Sequence, residues 1–192
     1  GTLEVILDRR LSQDDNRGLG QGVLDNKPTP ANFRLFVEKL QTKQDQELAG
    51  VPLTYHSLAS NTISQHLSHP ISILHHLHTD TSTLLPEFAG LTRSLPCDMF
   101  IVNLRTMQDG LKPEPTERAA LLLRRHGYDC SFPSWCKTTM GKIPLSKLFK
   151  GLDISSIQET SLTLMHEGKA VARDSTLELK PMEIYTYKLK LE

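Results

Sequence analysis

Apolar and polar side chains alternate in several separate stretches of this chain. Residues 2–8 (TLEVILD) set Leu3, Val5 and Leu7 on one face and Glu4, Ile6 and Asp8 on the other. Period two with β-branched residues predicts a strand. Residues 33–40 (FRLFVEKL) repeat the period through Phe33, Leu35 and Val37. Pro28 and Pro30 just before them suit an extended entry, so a strand is favoured there over a short helix. Within residues 94–106 (SLPCDMFIVNLRT), Phe100, Val102 and Leu104 alternate with Met99, Ile101 and Asn103. That pattern predicts a strand buried on both faces at its centre. The apolar run at 119–126 (AALLLRRH) is too short for periodicity to separate strand from helix, and it fits a hairpin with the preceding strand equally well. Residues 155–165 read as a strand through Leu162 and Leu164, and Leu177 and Leu179 as a short extended piece. Residues 181–191 (PMEIYTYKLKL) alternate cleanly, and their aromatic and β-branched content predicts a strand.

The helical signal is weaker. Leu58, Ile63, Leu67 and Ile71 are spaced for a short helix or an irregular surface segment, with Ser57 or Asn61 as caps and Pro70 as the break. Residues 144–149 (PLSKLF) suit one helical turn. Residues 41–50, 79–83 and 107–118 read as loops, 128–140 as loop with a short strand, and Gly168 as a turn. Many short strands, few helices and Pro/Gly turns predict an all-β, antiparallel, sandwich-like fold. Residues 1–192 form one such domain, with a polar variable region at about 41–93.

Charge and composition narrow the partners. The 192 residues carry no net formal charge, and 38% are hydrophobic. A dedicated nucleic-acid or membrane-surface module would show a basic stripe, so neither partner is expected. No apolar run reaches the length that spans a bilayer. The chain opens on Gly1, not Met, inside a predicted strand, which suggests a piece of something longer. Its three cysteines, Cys97, Cys130 and Cys136, leave at least one without a partner in the chain. They include no C-x-x-C, and no Asn-x-Ser/Thr sequon occurs, so neither compartment nor pairing follows.

Candidate chemistry gathers in residues 8–28 (DRRLSQDDNRGLGQGVLDNKP), a charged, glycine-rich loop between two predicted strands. Function often sits on such loops. Asp14 and Asp15 are adjacent and would face opposite ways on a strand, a poor catalytic pair. They suit sugar hydroxyls as acceptors, or they neutralise Arg9, Arg10 and Arg17 structurally. Gly18, Gly20 and Gly22 form G-x-G-x-G before a turn, without the helix a dinucleotide site needs. His66, His69, His75, His76 and His78, with an H-x-D at His78–Asp80, invite a zinc reading. Their spacing lacks the i, i+4 convergence of a helical site, and surface histidines in a polar loop account for them better. No Walker A, G-x-S-x-G or H-E-x-x-H occurs.

LDRRLSQDDNRGLGQGVLDNKPT closely resembles the C-terminal part of the Golgi α-mannosidases II and IIx, glycoside hydrolase family 38. SLPCDMFIVNLRT and PMEIYTYKLKL agree in order and spacing, and the similarity is weakest between Gln41 and Arg93. The resemblance implies a parent that is a type II membrane protein facing the Golgi lumen, a retaining, zinc-dependent enzyme trimming α1,3- and α1,6-linked mannose from N-glycan intermediates. Its catalytic aspartates and zinc ligands belong to an upstream catalytic domain, so no catalytic residue and no metal ligand transfers to this chain. The resemblance implies a rim loop that places Arg17, with Asp14 and Asp15, by the sugar site. The implied partners are the enzyme's own upstream catalytic and helical domains and the mannose residues of an N-glycan. A lumenal setting favours oxidised cysteines; Cys130 and Cys136 lie close enough to bridge, leaving Cys97 for an upstream partner, and other pairings stay equally open. A stand-alone β-sandwich that binds carbohydrate or protein without catalysis is the alternative.

Overall fold

The computed structural model describes residues 2–7, 16–18, 27–39, 55–75, 77, 85–110, 112–129, 136 and 138–192. They fall into two units, Gly1–Leu35 and Phe36–Glu192.

The described residues of the first unit form no helix or strand. The strand expected at residues 2–8 is therefore not present at 2–7, where Leu3, Val5, Ile6 and Leu7 are all exposed. Alternation specifies a face to bury, but a strand also needs a neighbour for its backbone groups, and no described segment supplies one. The strand expected at 33–40 fails likewise over 33–39, with Phe33, Leu35, Phe36 and Val37 open to solvent.

The second unit is built on antiparallel sheets. Helix α1 (Leu58–Ser68) starts at Ser57, whose hydroxyl accepts from the Ser60 amide at 3.0 Å. That satisfies one of the orphan donors of the first turn. It ends at His69, ahead of Pro70, which disfavours helical geometry in the residue before it. Strands β1 (Met99–Gln108) and β2 (Pro115–Arg125) form a hairpin. Both extend further into the expected 107–118 loop than the sequence suggests. β3 (Lys142–Pro144) leads into a single 3-10 turn, Leu145–Lys147, in the expected place. β4 (Ile154–Thr160) and β5 (Glu167–Val171) make a second hairpin, followed by β6 (Thr176–Glu178) and β7 (Ile184–Leu191). The main sheet has the order β1-β2-β7-β4-β5, and β3 pairs with β6 in a small second sheet.

Two boundaries differ from expectation for local reasons. The strand expected at 155–165 stops at Thr160, because the Ser161 amide bonds to the His166 carbonyl at 2.9 Å and its hydroxyl accepts from the His166 amide at 3.1 Å. These bonds close a turn in which Leu164 takes φ 63°. Gly168, expected at the turn, lies inside β5.

The core lies between one face of the main sheet and the β3/β6 pair. Leu121, Leu123, Ile157, Tyr187 and Leu189 from the main sheet meet Ile143 and Leu177 from the small one, with Leu145, Leu148 and Phe149 between them. The arrangement is all-β and sandwich-like, as the sequence predicts. Each buried Leu or Ile contributes roughly 1.5–3 kcal/mol relative to exposure. β1 is not buried at its centre as expected, since residues 102–106 are all exposed. Among the described residues it is an edge strand, paired on one side only.

Candidate functional site

Of the residues expected at the sugar rim, Arg17 lies among the described residues, while Asp14 and Asp15 lie outside them. Arg17 is exposed in a bend flanked by Asn16 at φ 60° and Gly18 at φ 120°. Asn is one of the few non-glycine residues that tolerates the left-handed region. At Gly18 an added Cβ would meet nothing within 4 Å, so backbone conformation, not crowding, calls for glycine there. Its guanidinium carries a fixed fork of donors that suits hydroxyl or carboxylate acceptors.

The described histidines do not converge on a metal. Among the described residues no group of three or more His, Cys, Asp or Glu could hold one. His69 stacks at a tilt on Phe100, with ring centroids 5.2 Å apart. His75 is exposed. His76, His78 and Asp80 lie outside the described residues.

A second polar cluster went unseen in the sequence. Asp98, just before β1, is fully buried, and Arg125, at the end of β2, donates from Nε to Asp98 Oδ2 at 2.9 Å. Arg125 Nη1 also donates to the Leu179 carbonyl at 2.8 Å. The His126 amide bonds to the Asp98 carbonyl at 2.8 Å. The His126 ring meets the Gln65 amide of α1, Nε2 to Nε2, at 2.6 Å. A neutral ring with its proton on Nδ1 lets His126 Nε2 accept from the Gln65 amide. Burial lowers the His126 pKa, the Arg124 charge lowers it further, and Asp98 opposes both. Around this cluster α1 is tied to the strand end: the Asp129 amide bonds to the His56 carbonyl at 2.9 Å, and Asn61 Nδ2 reaches the Gly127 carbonyl at 3.4 Å. These bonds fasten α1 and Leu179 to the open end of the β1–β2 hairpin. The one sequence signal for it was two charged residues in otherwise apolar strand contexts.

Beside it, Cys97 and Cys136 form a disulfide, with Cα atoms 6.3 Å apart. This differs from the Cys130–Cys136 bridge considered above; Cys130 itself lies outside the described residues. The hairpin brings the residue before β1 toward the region after β2, so proximity in space overrides proximity in sequence.

An open groove of about 590 Å³ runs over the main sheet, lined by Arg118, Ser156, Gln158, Lys188 and Lys190 among others. Its basic charge is partly neutralised: Arg118 pairs with Asp109 at 3.4 Å and Lys188 with Glu167 at 3.1 Å. A strong anion site is therefore not formed there.

No family model matches the chain. Over its whole length it is 43% identical to "Alpha-mannosidase 2" of Mus musculus and 43% identical to "Alpha-mannosidase 2x" of the same organism. It is 34% identical over its whole length to "Alpha-mannosidase 2" of Arabidopsis thaliana. The chain spans only 17% of the two mouse proteins and 19% of the plant one.

Proposed function

Because this chain is homologous over its whole length to the C-terminal region of alpha-mannosidases 2 and 2x, we propose that it is the C-terminal β domain of an α-mannosidase. The parent enzyme trims α1,3- and α1,6-linked mannose from N-glycan intermediates in the Golgi lumen, with retention of configuration. It is a glycoside hydrolase of family 38. The observation that carries this reading is the 43% identity over the whole chain.

Retaining glycosidases need two carboxyl groups about 5–5.5 Å apart across the glycosidic bond. In this reading the zinc of such an enzyme and its ligands belong to the catalytic domain. This chain's part is positional. Arg17, presented on its Asn16–Gly18 bend, donates hydrogen bonds to sugar hydroxyls or to carboxylates lining the site. Asp14 and Asp15 accept from hydroxyls beside it. The 192-residue chain alone is inactive, because the nucleophile, the acid/base and the metal lie elsewhere.

The test is mannosidase kinetics in the parent enzyme. Arg17→Ala lowers kcat/KM by about tenfold or more, the equivalent of one lost charged hydrogen bond, while the thermal unfolding midpoint holds. Unchanged kcat/KM in a folded variant removes Arg17 from the site. Mannosidase turnover by the isolated chain overturns the division of labour.

A further inference from the structure

The two edges of the main sheet are unequal. β5 is short, carries Glu167 and Lys169 among its five residues, and Glu167 pairs with Lys188 on the sheet. Short length and inward-reaching charge are how natural sheets blunt an edge against further pairing. β1 is ten residues long (MFIVNLRTMQ), and Arg105 is its one charged residue. No described strand lies on its outer side. Val102 is 41% and Leu104 38% exposed.

The cross-strand rows show what is missing. Ile101 lies opposite Leu123, which lies opposite Tyr185; Leu104 lies opposite Leu121, which lies opposite Tyr187. Residues directly opposite share a face, so both rows point into the core. Leu121 and Leu123 are 0% and 1% exposed, yet their row-mates on β1 are only partly covered. Among the described residues the core thus thins at β1.

We propose that the outer edge of β1 accepts a strand from the part of the parent polypeptide that lies outside these 192 residues. This rests on the reading of the chain as one domain of a longer α-mannosidase, whose relatives are matched over only 17% of their length. The incoming segment is extended and apolar at alternate positions. Its backbone takes up the outward amides and carbonyls of β1, and its apolar side chains continue the rows ending at Ile101 and Leu104. Main-chain bonds supply affinity and the alternate side chains supply register.

Amide hydrogen exchange on the parent-length enzyme tests this, read at the amides of residues 101–106 that point away from β2. They are expected to exchange at least about a hundredfold more slowly than free peptide. Exchange at the free-peptide rate overturns the proposal. Protection that disappears on dilution to a monomer also overturns it, and assigns the edge to a second copy. In the same protein Leu104→Lys lowers the unfolding midpoint, whereas Ala170→Lys on β5 leaves it in place; equal effects count against the proposal. Turnover of mannoside is measured separately. An unprotected edge in an active enzyme defeats this inference alone, and a protected edge in an inactive protein defeats only the functional reading.

Discussion

Arg125 Nε donates to Asp98 Oδ2 across 2.9 Å, with the aspartate side chain fully out of solvent. The pair joins the residue before β1 to the end of β2, at the open end of their hairpin. Among the described residues Asp98 Oδ1 has no hydrogen-bond partner, so this charge leans on Arg125. Asp98→Asn leaves the guanidinium buried without its counter-charge, which costs on the order of 3–5 kcal/mol. Pairing Asp98→Asn with Arg125→Met removes both charges and costs less than the two single changes added together. Urea unfolding of the four proteins checks this. Strict additivity would show that the pair contributes no coupling.

Gly141 supports the same guanidinium from the other side. It adopts φ 86°, and a Cβ there would come within 2.2 Å of the Leu179 carbonyl oxygen and 2.6 Å of Arg125 Nη1. The Leu179 amide bonds back to the Gly141 carbonyl at 2.9 Å, so the backbone cannot retreat without losing that bond. Gly141→Ala is expected to destabilise by about 2–4 kcal/mol, through left-handed strain and a backbone clash together. A loss below about 0.5 kcal/mol, the range of an ordinary surface change, would refute the crowding argument.

His126 sets a pH dependence. Its folded pKa is lowered from the usual 6.5, mainly by burial. Above 6.5 the ring is neutral whether the chain is folded or not. As pH falls below 6.5 the unfolded chain takes up a proton that the folded chain resists, so stability declines until the folded pKa is passed. Unfolding midpoints measured between pH 7.5 and 5, on the order of one pH unit either side of the free imidazole value, should fall in the wild type and fall less in His126→Asn. Equal slopes in both proteins would assign the dependence to other groups.

What the sequence revealed about the fold was uneven, and the unevenness has a physical basis. The 181–191 segment read cleanly because β7 lies in the middle of the main sheet, where its Tyr187 and Leu189 are buried. The same alternation at residues 2–7 and 33–37 misled, because periodicity reports which side chains share a face and is silent about a pairing partner. Ser57 was legible as a cap because capping is local. The Asp98–Arg125 pair and the Cys97–Cys136 bridge were not, because both depend on a hairpin register that brings distant residues together. At the candidate rim, the glycine at 18 was visible as a turn former, whereas the left-handed bend at Asn16 was not.

The placement of β7 carries a consequence for biosynthesis. Two hairpins, β1–β2 and β4–β5, are complete in the nascent chain well before residues 184–191 leave the ribosome. Until then β2 and β4 each hold an unfilled side, and Leu121, Leu123 and Ile157 have no Leu189 to pack beside. The growing polypeptide must therefore wait with two sticky half-sheets, a state that favours non-local pairing and aggregation and that chaperones shield. Deleting residues 184–191 would take out the strand that joins the two halves of the sheet.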